Sequence, residues 1–187
     1  MSVSFADKQV AVFGLRGTGK STFVNNLARG YKRKALVWDP LGEVSGTTAY
    51  DTYVPELADE IEFERVVTYA RNHKYQLLVA DEINRLALPK PHPLPPCIRD
   101  MVDYSRHWHL TVAWVARRPV QVHTDLIELA DFIVCFRLTG KNDRAYLESL
   151  SEGLGDAVFG LPDYHYILVN PDRTFRRCRP VPKVKLD

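Results

Sequence analysis

The chain has 187 residues, 45% of them apolar and 26% charged. That length and polarity exclude general disorder, and they allow one ordinary domain to fold without a metal or disulfide staple. Twenty-five Lys and Arg against 23 Asp and Glu leave a formal charge of +2, which neither demands nor excludes a polyanionic partner.

Short apolar runs recur at residues 10–13, 35–38, 77–80, 110–116, 132–136 and 166–169. Each is of strand length and continuous rather than alternating, as strands covered on both faces require. Helical patterns lie between them. Phe63, Val66, Val67 and Ala70 fall at i, i+3, i+4 and i+7, and Ile98, Met101, Val102 and Ser105 repeat that spacing. Strands alternating with helices predict an α/β fold with a mainly parallel central sheet flanked by helices. Residues 1–170 are expected to form the domain, and 171–187 a basic C-terminal strand, hairpin or tail.

The first strand opens into Gly14-Leu15-Arg16-Gly17-Thr18-Gly19-Lys20-Ser21, with Thr22 next and a helical stretch over residues 21–28. This matches GxxxxGK[ST] in the strand–loop–helix setting that its chemistry needs. Gly14, Gly17 and Gly19 free the backbone to turn its N–H groups inward, and the helix aims its positive end at the same anion. On this reading residues 14–22 hold a nucleoside triphosphate. Lys20 bridges the β- and γ-phosphates, and the Ser21 hydroxyl holds Mg²⁺. Tyr31-Lys32-Arg33-Lys34, a basic cluster after the helix, reads as a solvated turn, with contact to nucleic acid as the alternative.

The run at 77–80 ends in Asp81 and Glu82. Asp81 reads as the carboxylate that completes the Mg²⁺ shell, and Glu82 as the base that orients and deprotonates the attacking water. The plain alternative is that Glu82 suits the start of a following helix, where acids are favoured. The acidic pair favours hydrolysis over kinase-type transfer. No NKxD-like guanine-reading segment is present, so ATP is expected rather than GTP. Five prolines among residues 88–96 then exclude a helix interior or central strand. They predict a stiff surface loop, or a functional loop at the sheet edge.

Residues 106–119 begin with Arg106-His107-Trp108-His109 and close on Arg117-Arg118-Pro119. They resemble the HerA/FtsK superfamily of DNA-pumping ATPases, in which an Arg precedes the fourth strand and a polar residue followed by Arg-Pro closes it. Asp39-Pro40-Leu41-Gly42-Glu43 and residues 130–138 extend the likeness, which runs from Lys8 to Leu150. The resemblance implies a RecA-like (ASCE) P-loop sheet and a homo-oligomeric ring with ATP between neighbouring subunits. It makes Arg106 an arginine finger offered to the neighbour's γ-phosphate, a task suited to a guanidinium that never deprotonates. A solvated Arg at a helix end is the plain alternative, and Arg144 is the second candidate for the finger. At the sensor position, where many members carry Gln, this chain has Arg117, which adds a charge. Arg118 reads as structural, paired with a nearby acid, and His107 and His109 as polar residues at the strand's start rather than metal ligands.

Chain length and the lack of an apolar span point, within that superfamily, to the genome-packaging ATPases of tailless, membrane-containing icosahedral viruses. Double-stranded DNA pumped into a preformed capsid is the implied cargo, in the host cytoplasm or at a capsid vertex protein. Grip on DNA comes from cations reaching phosphates. Arg85, Lys90 and His92, after Asp81-Glu82, are the candidates, and the basic tail could serve DNA or the capsid vertex. A Zot-like filamentous-phage assembly ATPase and a non-motor P-loop switch or kinase remain the competing readings. Cys97, Cys135 and Cys178 show no disulfide or zinc spacing, and with no signal peptide they suggest a reducing compartment.

Overall fold

Val10 to Phe13 are at most 1% exposed, so the strand that carries them must lie in the middle of a sheet covered on both sides. The computed structural model describes residues 3–44 and 48–183 and places β1 (Gln9–Phe13) there. The other strands are β2 (Ala35–Trp38), β3 (Asp51–Tyr53), β4 (Leu77–Ala80), β5 (Thr111–Ala116), β6 (Phe132–Phe136), β7 (Tyr166–Val169) and β8 (Phe175–Cys178). The sheet order is β3-β2-β4-β5-β1-β6-β7-β8. Neighbours pair in parallel from β3 through β6, whereas β7 and β8 are antiparallel additions.

Alternation along each strand divides the core into two layers. Ala11, Phe13, Leu78, Ala80, Val112 and Trp114 face one side, under α2 (Glu60–Asn72), α3 (Pro96–Tyr104), α5 (Lys141–Leu150) and α6 (Leu154–Phe159). Val10, Val12, Val79, Ala113 and Val115 face the other, against Phe23, Val24 and Ala28 of α1 (Lys20–Tyr31). A short α4 (Asp125–Glu128) precedes β6. The helix periodicity holds on α2, where Phe63, Val66, Val67 and Ala70 are all buried. On α3 Ile98 and Met101 are buried and Val102 is half-buried, while Ser105 lies buried in the turn after the helix.

All six apolar runs form strands, and the α/β fold with a mainly parallel sheet expected from them is the one observed. Two strands escape such a reading. β3 is three polar or aromatic residues on the sheet edge, and β8 is Phe-Arg-Arg-Cys, with two exposed arginines. The tail therefore adds a strand to the sheet through β8. Residues 179–183 then run beside α1, where the Asn26 amide donates to the Pro182 carbonyl at 2.8 Å. Lys185 and Asp187, counted in the basic tail, lie outside the described residues. Among the described residues no helix is long and apolar enough to cross a membrane.

Candidate functional site

The loop after β1 is shaped by three glycines for two different reasons. Gly17 and Gly19 take φ of 79° and 107°, a region that side chains disfavour. Gly14 is needed for space: a Cβ there would lie 2.6 Å from the Phe136 Cβ and 2.8 Å from the Thr18 Oγ1. Thr18 turns inward and donates to the Leu15 carbonyl at 2.8 Å, while the Gly14 N–H donates to the Arg117 carbonyl at 3.3 Å. Gly19 caps α1 without a side chain, so the first-turn N–H groups stay available to an anion.

Residues 15–17 and 19–22 line a cleft of about 310 Å³, with Glu43, Glu82, Arg117, Tyr164 and Lys183 on its other sides. Gly14 and Thr18 are buried beneath the loop instead, where they hold its shape. The Lys20 ammonium lies 4.0 Å from Asp81 Oδ1, and the same oxygen accepts the Glu82 N–H at 2.9 Å. Burial raises the Asp81 pKa above the ordinary carboxylate value, with Lys20 and the Glu82 N–H opposing the shift. A desolvated carboxylate of that kind, next to the Lys20 that shares the cleft with Ser21, fits a hard cation. Among the described residues no three His, Cys, Asp or Glu gather into a metal site. Two protein oxygens completed by phosphates and water are the donor set that Mg²⁺ commonly accepts.

Glu82 is 7% exposed, and its backbone takes φ of 48° at the end of β4. It precedes a single 3₁₀ turn (Ile83–Arg85) rather than an α-helix, and its side chain caps nothing. The carboxylate instead accepts a 2.9 Å bond from Arg117 Nε. Asp39, which follows β2, is fully buried; one of its oxygens accepts the Val44 N–H at 2.7 Å. Its charge raises the Asp81 pKa further.

Arg106 stands apart. It lies in a 3₁₀ turn (Ser105–Trp108) before β5, at the sheet end opposite the cleft, and donates to Asp131 at 3.2 Å. β5 spans six residues, roughly 20 Å of strand, so Arg106 cannot reach the cleft of its own subunit. Arg144 pairs with Asp156. Arg118 pairs at 2.8 Å with the fully buried Asp143, the structural partnership expected of it. Arg85 is exposed after β4, Lys90 pairs with Asp125 at 2.8 Å, and His92 is exposed in the proline loop. Tyr31-Lys34 forms the end of α1 and a 3₁₀ turn (Lys32–Lys34) leading into β2. Tyr164, Lys183 and Glu43 were not identified from the sequence as lining residues. Tyr164 carries no motif, Lys183 is one charge among several in a basic tail, and Glu43 belongs to a loop whose only signal is a likeness.

The fold is shared with solved structures at low sequence identity. The genome packaging NTPase B204 from Sulfolobus turreted icosahedral virus 2, in complex with ATP-gammaS, superposes with a TM-score of 0.82 at 18% identity. That match covers 95% of this chain and 99% of B204. EssC (ATPases 2 and 3) from Geobacillus thermodenitrificans gives 0.63 at 14% identity, over 100% of this chain and 42% of that one. The N-terminal domain of zonular occludens toxin from Neisseria meningitidis gives 0.57 at 9% identity, over 94% and 95% of the two chains. No protein-family model matches the chain, and no curated protein matches it in sequence.

Proposed function

We propose that this chain is a Mg²⁺-dependent ATP hydrolase that works as a homo-oligomeric ring and drives double-stranded DNA into a preformed viral capsid. One observation carries the hydrolase: the glycine loop with Lys20 and Ser21 shares a cleft with Glu82, and Asp81 lies beside Lys20. Two further findings support the packaging role. B204 shares the fold over nearly its whole length, and that protein has been solved with AMPPCP as well as ATP-gammaS. The zonular occludens toxin domain is a weaker match, so a Zot-like assembly role is the lesser reading.

On this reading the N–H groups of residues 15–17 and 19–21 and the Lys20 ammonium hold the triphosphate. Mg²⁺, carried by Ser21 and Asp81, would neutralise charge on the β- and γ-phosphates. Glu82 accepts a proton from the attacking water as its oxygen bonds to the γ-phosphorus. The bond to the β–γ bridging oxygen breaks, and ADP leaves with that electron pair. Arg117 orients the Glu82 carboxylate. Arg106, at the far end of β5 and out of reach of its own cleft, serves the γ-phosphate of a neighbouring subunit once it leaves Asp131. Such fingers contribute about 10³- to 10⁵-fold in rate. Arg85 and His92, both exposed in the segment after β4, are the candidates to grip DNA, whereas Lys90 must first leave Asp125. The host cytoplasm is the expected compartment, with docking on a capsid vertex protein.

ATP turnover with and without double-stranded DNA tests the proposal. DNA should stimulate the wild type, Lys20→Ala should abolish turnover, and Arg106→Ala should lose it while still binding ATP. Mixing Arg106→Ala with Glu82→Gln subunits should restore activity, because each supplies what the other lacks at a shared site. Turnover indifferent to DNA would remove the motor. Mixtures no better than their components would remove the shared site.

A further inference from the structure

The mechanism above uses the phosphate end of the cleft and leaves its other end unassigned. There a smaller hollow of about 150 Å³ is lined by Gly19, Thr22, Tyr164, Pro180, Val181 and Lys183. Gly19, Thr22, Tyr164 and Lys183 line both spaces, so the two are continuous. We infer that Tyr164 and the tail segment 180–183 form the nucleoside subsite of the ATP site. This rests on reading residues 14–21 as the triphosphate cradle.

The direction of the bound molecule makes the assignment. Glu82 and Arg117 mark the γ-phosphate end of the cleft, and Ser21 and Lys20 hold the β–γ region. The α-phosphate must then lie toward Thr22, and the nucleoside beyond it, where the hollow opens. The chemistry of the walls suits a base and sugar. Tyr164, 52% exposed, offers an aromatic side chain, Pro180 and Val181 offer apolar surface, and Lys183 lines both the hollow and the phosphate cleft.

Both walls are held in place. Tyr164 sits in a tight turn in which the His165 N–H donates to the Pro162 carbonyl at 3.3 Å. Asp163 pairs with Arg137, next after β6, at 2.7 Å. The Tyr164 Cα would lie 3.6 Å from a Cβ on Gly19, so the turn touches the phosphate loop itself. Tyr164 holds φ of 64°, a left-handed conformation that a bulky residue rarely adopts. On the other side, Pro182 is bonded to Asn26 of α1 and Val181 packs against the second core layer. The tail is thus anchored to the same helix whose first turn faces the phosphates.

The test compares Mg²⁺-ATP with Mg²⁺-tripolyphosphate binding to the full chain by calorimetry, because tripolyphosphate carries the phosphates without the nucleoside. The wild type should bind ATP more tightly. Tyr164→Gly keeps the turn, since glycine favours that φ, and should weaken ATP roughly 10- to 100-fold through loss of stacking while leaving tripolyphosphate unchanged. Val181→Asp should act in the same direction, and Tyr164→Phe should bind ATP as the wild type does. Equal losses for both ligands, or none for ATP, would overturn the nucleoside subsite. A wild type that binds neither ligand would instead overturn the phosphate reading beneath it.

Discussion

Arg117 and Glu82 are 35 residues apart in sequence, yet Arg117 Nε donates to Glu82 Oε1 at 2.9 Å. The pairing follows from the parallel sheet. Ala80 of β4 lies opposite Trp114 of β5, so both chains leave the sheet side by side at the mouth of the cleft. A guanidinium there fixes the carboxylate's direction, which a neutral amide does more weakly.

Arg117 therefore acts on turnover through Glu82. Arg117→Ala should lower kcat roughly 10- to 100-fold, the scale of a misplaced reacting group, and leave KM for ATP nearly unchanged. Arg117→Gln, which can still hydrogen-bond Glu82, should keep more activity. Steady-state kinetics separate this from a phosphate-binding role, in which KM would rise instead.

Glu82→Gln removes the proton acceptor while preserving shape. Turnover should fall about 100-fold or more, with ATP binding retained. Retained binding with undiminished hydrolysis would assign the base elsewhere.

Two glycines of the loop should respond differently to alanine. In Gly14→Ala the new methyl meets Phe136 and Thr18 inside 3 Å, an overpacking expected to cost about 1–3 kcal/mol and to distort the loop. Gly17→Ala meets nothing within 4 Å and carries only the strain of positive φ, about 1–2 kcal/mol. Thermal melts should show the larger loss for Gly14→Ala, together with weaker ATP binding.

Arg118 differs from its neighbour Arg117 in serving the fold. Asp143 is fully buried and its Oδ2 accepts from Arg118 Nε, so Arg118→Ala strands a carboxylate. The expected loss is about 3 kcal/mol, at the lower end for a broken buried pair because Arg118 is partly exposed. At this chain length that lowers Tm by roughly 6–12 °C.

Thiol reactivity tests the packing. Burial pushes the Cys97 thiol up to about 11 and Cys135 to about 12, so both stay protonated and inert at neutral pH. Native alkylation followed by mass spectrometry should label Cys178, which is half-buried on the edge strand, well ahead of the other two. Early labelling of Cys135 would mean that the centre of the sheet opens.

What could be read in advance was local. Six buried strands announced themselves as continuous apolar runs, because a strand covered on both faces has no polar side to show. The phosphate loop was legible because glycine spacing, lysine and serine are consecutive and their chemistry needs that order. Edge strands β3 and β8 gave no such signal, since half-exposed backbone pairing tolerates Asp, Thr and Arg. The remaining assignments depended on strand order, which no window of sequence contains. Parallel crossovers bring Arg117 to Glu82 and leave Arg106 at the far end of the sheet, and the antiparallel pair β7–β8 sets Tyr164 and Lys183 in one hollow with Gly19. Apolar pattern is set residue by residue, whereas the meeting of distant strand ends is decided only when the whole core closes.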